Sequence, residues 1–202
     1  METVSGGEGK LRLARVEDAP ALLEIYAPYV TDTNVSFEYE VPSLEEFSQR
    51  VKTISALHPY LVWEEGEKLL GYAYAHPYAA RPAYQWGAEL TVYLRPEARR
   101  QGLGRRFYAL LERMAALQGY QVVYGLVTTD NAASCRFHEA MGYRPAGFLA
   151  DCGFKLGRWH GVTWYEKRLC PPAAPARPPV PAPEMDWSAL CTADAGGWEV
   201  RL

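Results

Sequence analysis

Two periods of apolar residues run along this chain, one of about two and one of about 3.6. Lys10–Arg15 (KLRLAR) alternates and predicts a first strand. Glu17-Asp18-Ala19-Pro20 then opens a helix, with acids at the cap and proline in the first turn, and Leu22, Leu23, Ile25, Tyr26 and Tyr29 supply its apolar side. Thr31–Pro42 predicts a loop with extended pieces, and Ser43-Leu-Glu-Glu46 has the spacing of a capping box, starting a second helix that runs to about Leu57. Tyr60–Glu64 and Leu69–Ala75 around Glu65-Gly-Glu-Lys68 predict a hairpin. The aromatic stretch His76–Trp86, with two prolines, predicts a site-lining loop.

A central strand follows, in which Leu90, Val92 and Leu94 alternate with Glu89, Thr91 and Tyr93. Arg95-Pro96 ends it, because proline has no amide hydrogen for a ladder. A basic turn containing Gly102 and Gly104 leads into a helix, Arg105–Gln118. Gln121–Val127 predicts a strand, Thr128–Asn131 a turn and cap, and Ala132–Met141 a short helix ended by Gly142. Tyr143–Leu149, Phe154–Trp159 and Gly161–Leu169 predict closing strands, with an antiparallel turn near His160-Gly161. Strands and helices alternate in the middle and a hairpin closes the chain, which implies a mixed α/β sheet.

Composition refines this into parts. The 202 residues divide into a flexible, polar N-terminus (1–9), one domain (10–169) and a Pro/Ala-rich tail (170–202) expected to be poorly ordered or loosely docked. That tail carries Trp187 and Trp198 without clear periodicity. The hydrophobic share of 49% and charged share of 22% fit a globular core. A net charge of −3 argues against nucleic acid as a partner. No apolar run reaches the ~18 residues of a membrane span, and residues 1–10 lack the apolar core of a secretory signal. Cys135, Cys152, Cys170 and Cys191 match neither a metal site nor a disulfide framework, so reduced thiols in a cytoplasm are expected. His58 and His76 have no ligand-spaced partner, and no metal is expected.

Strand, glycine turn and helix start together make an anion cradle. Free backbone amides converge there, the helix dipole adds partial positive charge, and Arg99, Arg100, Arg105 and Arg106 strengthen the field. The ligand this suits is a pyrophosphate. The plainer reading, a solvated helix start, accounts for the arginines but not for both glycines directly after a strand.

Arg99-x-x-Gly102-x-Gly104 resembles the acetyl-CoA-binding motif of the GNAT N-acetyltransferase superfamily. Asn131-x-x-Ser134-x-x-x-His138-Glu-Ala-Met-Gly142-Tyr143 resembles the family's next helix. Two further blocks, Ala83–Tyr93 and Gly153–Trp164, are similar to one branch, the phosphinothricin and methionine sulfone (sulfoximine) acetyltransferases. The resemblance implies a mixed, mostly antiparallel central sheet flanked by helices. It also implies direct transfer of acetyl from acetyl-CoA to a primary amine in a ternary complex, and a homodimer. Backbone groups of Val92, Tyr93 and Leu94 would pair with the pantetheine arm. Amides of Arg99, Arg100, Gln101, Gly102, Leu103, Gly104 and Arg105 would take the pyrophosphate, and Asn131 and Ser134 would meet the far end of the cofactor.

The chemistry needs an uncharged amine, because an ammonium has no lone pair, so a side chain must accept a proton. Glu89 stands where the branch carries its proposed base, and burial among aromatics would raise its pKa usefully. His138 stands where many relatives place a proposed acid; it would protonate the departing sulfur or share the base role. Phe37, Arg81, Tyr84, Trp86 and Thr91 are the candidate substrate contacts, Arg81 as a carboxylate partner. The branch commonly has a basic residue two positions before Arg81, and here it is Ala79, which leaves the amine undetermined. Plainer readings stand beside these: a satisfied edge carboxylate for Glu89, a structural histidine for His138, an exposed cation for Arg81, a turn or interface histidine for His160, and packing for Trp159 and Trp164. Two other functions compete, protein or peptide N-acetylation and a non-catalytic acyl-CoA sensor. Retention of Glu89 and His138 weighs against the sensor.

Overall fold

The computed structural model describes residues 9–172, 176–191 and 199–202. Strands β1 (Gly9–Leu13), β2 (Tyr60–Glu65), β3 (Lys68–Pro77), β4 (Gly87–Leu94), β5 (Val122–Thr128), β6 (Arg144–Lys155), β7 (Arg158–Arg168) and β8 (Glu199–Arg201) form one sheet in the order β6-β7-β5-β4-β3-β2-β1-β8. Only the β4–β5 and β1–β8 pairings are parallel; the others are antiparallel. This is the mixed, mostly antiparallel sheet that the resemblance implied.

Helices cover both faces. Helices α1 (Ala19–Thr31) and α2 (Leu44–Ser55) lie on one side, where Leu22, Ile25, Tyr26, Phe47 and Val51 pack against Tyr60, Val62, Tyr72 and Tyr93. Helix α2 starts as the sequence predicts: the Ser43 side chain accepts from the Glu46 amide, and Glu46 reaches back to the Ser43 amide at 2.8 Å. Helix α3 (Leu103–Gln118) packs on the other face, burying Leu103, Phe107, Leu111 and Met114 against Leu61, Ala73, Ala75 and Leu90. Helix α4 (Ala132–Ala140) lies beyond it, with Phe137 against Tyr108 of α3.

Several expectations differ from the structure. Helix α3 begins at Leu103, two residues early, because Gly102 in the left-handed region (φ 80°) turns the chain directly into it. The closing strands are two long ones rather than three. Their turn is at Leu156-Gly157, both at positive φ, while His160 lies within β7 and is buried. Trp159, expected to pack, is 61% exposed.

The tail differs most. Its described residues dock instead of trailing away: Ala182, Trp187, Leu190 and Val200 are buried in the α3-side core, and β8 pairs with β1. The proline-rich strand is tied down by backbone bonds, Val180 N–H to Gln118 O at 2.8 Å and Ala182 N–H to Leu57 O at 3.0 Å. An apolar tryptophan outweighs a linker-like composition, since burying one ring removes about 150–250 Å² from water. Trp198 and residues 1–8 lie outside the described residues, and Gly9, placed by the sequence reading in the flexible N-terminus, already belongs to β1.

Candidate active site

The site is a gap in the sheet. Strands β4 and β5 pair only through Gly87–Glu89 and Val122–Tyr124. Beyond that β5 continues along β7 to Thr128, and β4 continues along β3 to Leu94, so the two separate. The Arg95 amide bonds to Leu70 O at 2.9 Å, which sets the phase of the β3–β4 ladder. Odd-numbered residues of β4 bond toward β3, and the amides and carbonyls of Leu90, Val92 and Leu94 therefore face the gap.

These backbone groups have separate fates. Leu90 O accepts from the Tyr108 hydroxyl at 3.0 Å. The Tyr29 hydroxyl serves Leu94, accepting from its amide at 3.0 Å and lying 2.6 Å from its carbonyl. Val92 keeps both groups open to the gap. Of the three residues expected to pair with a pantetheine arm, Val92 is presented for it; Tyr93 is turned into the β3 ladder, and Leu94 is engaged by Tyr29.

The gap opens into a cavity of about 230 Å³ lined by Glu89, Thr91, Val92, Tyr108, Ser134 and His138, with Phe37 among the residues of its wall. Glu89 and Thr91 point to the α1–α2 side of β4, whereas Tyr108 and His138 come from helices on the opposite face. Only where the sheet parts do both sets share one space.

Burial pushes the Glu89 carboxyl up to about 7. His138 is lowered by burial, an effect opposed by its Nδ1–H bond to Ser134 O at 2.8 Å. Its Nε2 lies 3.1 Å from the Tyr108 hydroxyl, which also faces Leu90 O. One hydroxyl proton cannot serve both acceptors. Protonating Nε2 satisfies the whole chain, since it donates to Tyr108, which donates to Leu90 O. Burial thus disfavours the imidazolium while the hydrogen-bond geometry favours it.

At the mouth of the gap stands the cradle. The 3-10 turn Pro96–Ala98 is followed by Arg100 at positive φ and Gly102 at the cap of α3, where no side chain covers the first-turn amides. Arg99, Arg100, Gln101 and Arg105 are exposed around it. The Arg99 guanidinium rests over the Tyr29 ring at 5.2 Å, and Gln101 donates to Glu97 O at 2.7 Å. An uncapped helix start beside an open strand edge fits the diphosphate and pantetheine of an acyl-CoA. Asn131 is the cap of α4, accepting from the Ser134 amide at 3.1 Å, so its carboxamide is in part structural.

Arg81, Tyr84 and Trp86 do not reach this cavity. Arg81 borders a second cavity of about 310 Å³ with His58, Pro77, Tyr120 and the tail residues Pro179–Pro181. Tyr84 is exposed beside Tyr78. The Trp86 indole donates to Arg177 O at 2.7 Å, holding the tail. The loop bends away because Pro82–Tyr84 forms a 3-10 turn and Tyr78 packs on Tyr124 across Gly87. Sequence reasoning missed Tyr108 and Tyr29. Tyr108 had a legible signal, standing four residues after Gly104 on the helix face above the strand. Tyr29 had none.

Residues 11–164 match the acetyltransferase (GNAT) domain model. The chain belongs to the GNAT acetyltransferases. It is similar to a phosphinothricin N-acetyltransferase of Alcaligenes faecalis, 41% identical over 163 residues, 79% of this chain and 82% of that protein. An L-methionine sulfoximine/L-methionine sulfone acetyltransferase of Salmonella typhimurium is 28% identical, over 82% of this chain and 97% of that protein. Among solved structures, a phosphinothricin acetyltransferase of Sinorhizobium meliloti in complex with AcCoA superposes with a TM-score of 0.80 at 28% identity, covering 87% of this chain and 98% of that one. This GNAT chain is an acetyl-CoA-dependent N-acetyltransferase, and Glu89, Thr91, Val92, Ser134 and His138 of its candidate residues meet at the gap between β4 and β5.

Proposed function

We propose that this acetyltransferase modifies the primary amine of a small amino-acid analogue of the phosphinothricin or methionine sulfone (sulfoximine) type, as a detoxifying or resistance enzyme. The observation that carries this reading is the cavity in which Glu89 and His138, from opposite faces of the sheet, meet at the open backbone of Val92. Bound acetyl-CoA supplies a thioester as acetyl donor. Val92 pairs with its arm, and the amides from Arg99 to Arg105 hold its diphosphate.

The chain's own residues then handle protons. Glu89 takes one from the ammonium, for which a pKa near 7 is suited at neutral pH. His138, backed by Tyr108, returns one to the departing sulfur. Phe37 and Thr91 wall the substrate, Ser134 borders the acetyl end, and Asn131 sets the α4 turn beside the cofactor. Arg81, Tyr84 and Trp86 shape the neighbouring loop and tail, and the reaction uses no metal. A cavity of about 230 Å³ suits a small zwitterion better than a polypeptide end.

The enzyme is read as a cytoplasmic homodimer. Strand β6 is exposed almost throughout, and Phe148, Leu149, Phe154, Leu156 and Trp159 form an apolar arm that a second copy would cover. A thiol-release assay with acetyl-CoA and an amine panel tests the reading. Turnover is expected on phosphinothricin, methionine sulfone or methionine sulfoximine; turnover on peptides alone, or cofactor binding without turnover, would remove it.

A further inference from the structure

Transfer from an ammonium to an amide releases two protons from nitrogen, and the departing thiolate takes one of them. The other must leave the site at every turnover. Glu89 cannot release it readily alone, because burial holds its carboxyl against water and an amine in the cavity covers the side it serves.

His76 stands on the free side. It is the cross-strand partner of Glu89 in the β3–β4 register, so both side chains project to the same face. Its Nε2 lies 3.6 Å from Glu89 Oε2. That is contact rather than a hydrogen bond, and it matches two groups whose resting forms are both set by burial. The other ring nitrogen, Nδ1, lies 3.1 Å from Pro77 O, which only an Nδ1–H can satisfy. This fixes the neutral tautomer and leaves the Nε2 lone pair facing the carboxyl. The side chain is 28% exposed, against 19% for Glu89, so the ring spans from the buried acid to the surface. The other titratable neighbours are Tyr74, whose ring is 5.6 Å away, and His58, whose charge would oppose a cation at His76.

We propose that His76 is a proton relay for Glu89, a positioning residue that returns the base to its ionised form after each acetyl transfer. The Glu89 O–H bond breaks as an Nε2–H bond forms. The ring of the imidazolium then swings Nε2 out to solvent, the Nε2–H proton leaves there, and the Nδ1–H tautomer returns to its place on Pro77 O. No oxidant, reductant or metal enters. This rests on the role of Glu89 given above.

The test is thiol release by the full chain with acetyl-CoA and the best amine of the panel, in weakly buffered medium, for wild type, His76→Gly and His76→Gln. Loss of the relay is expected to lower kcat about tenfold or more, with KM for acetyl-CoA unchanged. Added imidazole should restore most of the rate to His76→Gly and leave wild type unaffected. A folded variant, shown by unchanged acetyl-CoA binding, that keeps the wild-type rate would overturn the relay, as would a loss that imidazole does not restore in either variant. Glu89→Gln serves as the control. If that variant keeps wild-type activity, the base assignment itself falls and the relay falls with it, an outcome distinct from an unimpaired His76 variant.

Discussion

Replacing Glu89 with glutamine should separate catalysis from stability. The carboxyl moves from an ordinary 4.5 to about 7 because the folded protein buries it. The folded chain therefore holds this proton more tightly than the unfolded chain, and stability falls as pH rises from about 4.5 to about 7. At 1.36 kcal/mol per tenfold change in proton affinity, ionising Glu89 in the native state costs about 3 kcal/mol. Glutamine has nearly the same shape and does not ionise. Glu89→Gln should thus match wild type within about 1 kcal/mol at pH 4.5 and exceed it by about 3 kcal/mol at pH 8. Urea unfolding followed by tryptophan fluorescence, with no acetyl-CoA present, reads the difference. In the same variant the thiol-release rate should fall by about two orders of magnitude or more, losing the wild-type acid limb near pH 7. A stability gap that is the same at both pH values would refute the burial argument, and an unchanged pH–rate profile would clear Glu89 of the base role.

Other expectations follow from single contacts. Tyr108→Phe removes the hydroxyl that serves both Leu90 O and His138, so it should cost about 1–3 kcal/mol by urea unfolding and lower kcat while acetyl-CoA affinity holds. Gly102→Ala meets no neighbour, but φ 80° strains a β-carbon by about 1–2 kcal/mol. Calorimetry should therefore show weaker acetyl-CoA binding, with kcat at saturation preserved. Trp187→Ala should cost about 3–5 kcal/mol in urea unfolding, because the ring is part of the α3-side core. If that variant matched wild type, the tail would be an appendage after all.

The sequence made the centre of the fold readable and left its margins obscure. Local signals survive folding: the Ser43 capping box, the strand before Arg95-Pro96 and the glycines at the start of α3 all act within a few residues. Glu89, Val92 and His138 were singled out through the resemblance, and they line one cavity because each has a fixed place relative to a turn or cap. Tyr29 was not, because its bond to Leu94 joins residues 65 apart. Arg81 and Trp86 lie away from that cavity for a related reason. Composition marked the loop as site-like, but its direction depends on Tyr78 packing against Tyr124 and on the tail accepting the Trp86 indole. The tail itself hid a buried tryptophan behind a run of prolines.

The pairing of β8 with β1 gives the protein an order of assembly. Lys10 and Glu199 are partners across nearly the whole chain, the costliest kind of contact to close. Until that happens the outer edge of β1 offers unpaired backbone, a template for any passing strand. A tag or extension after Leu202 would act at that vulnerable seam. It would slow closure and favour aggregation during folding while leaving the distant gap between β4 and β5 intact.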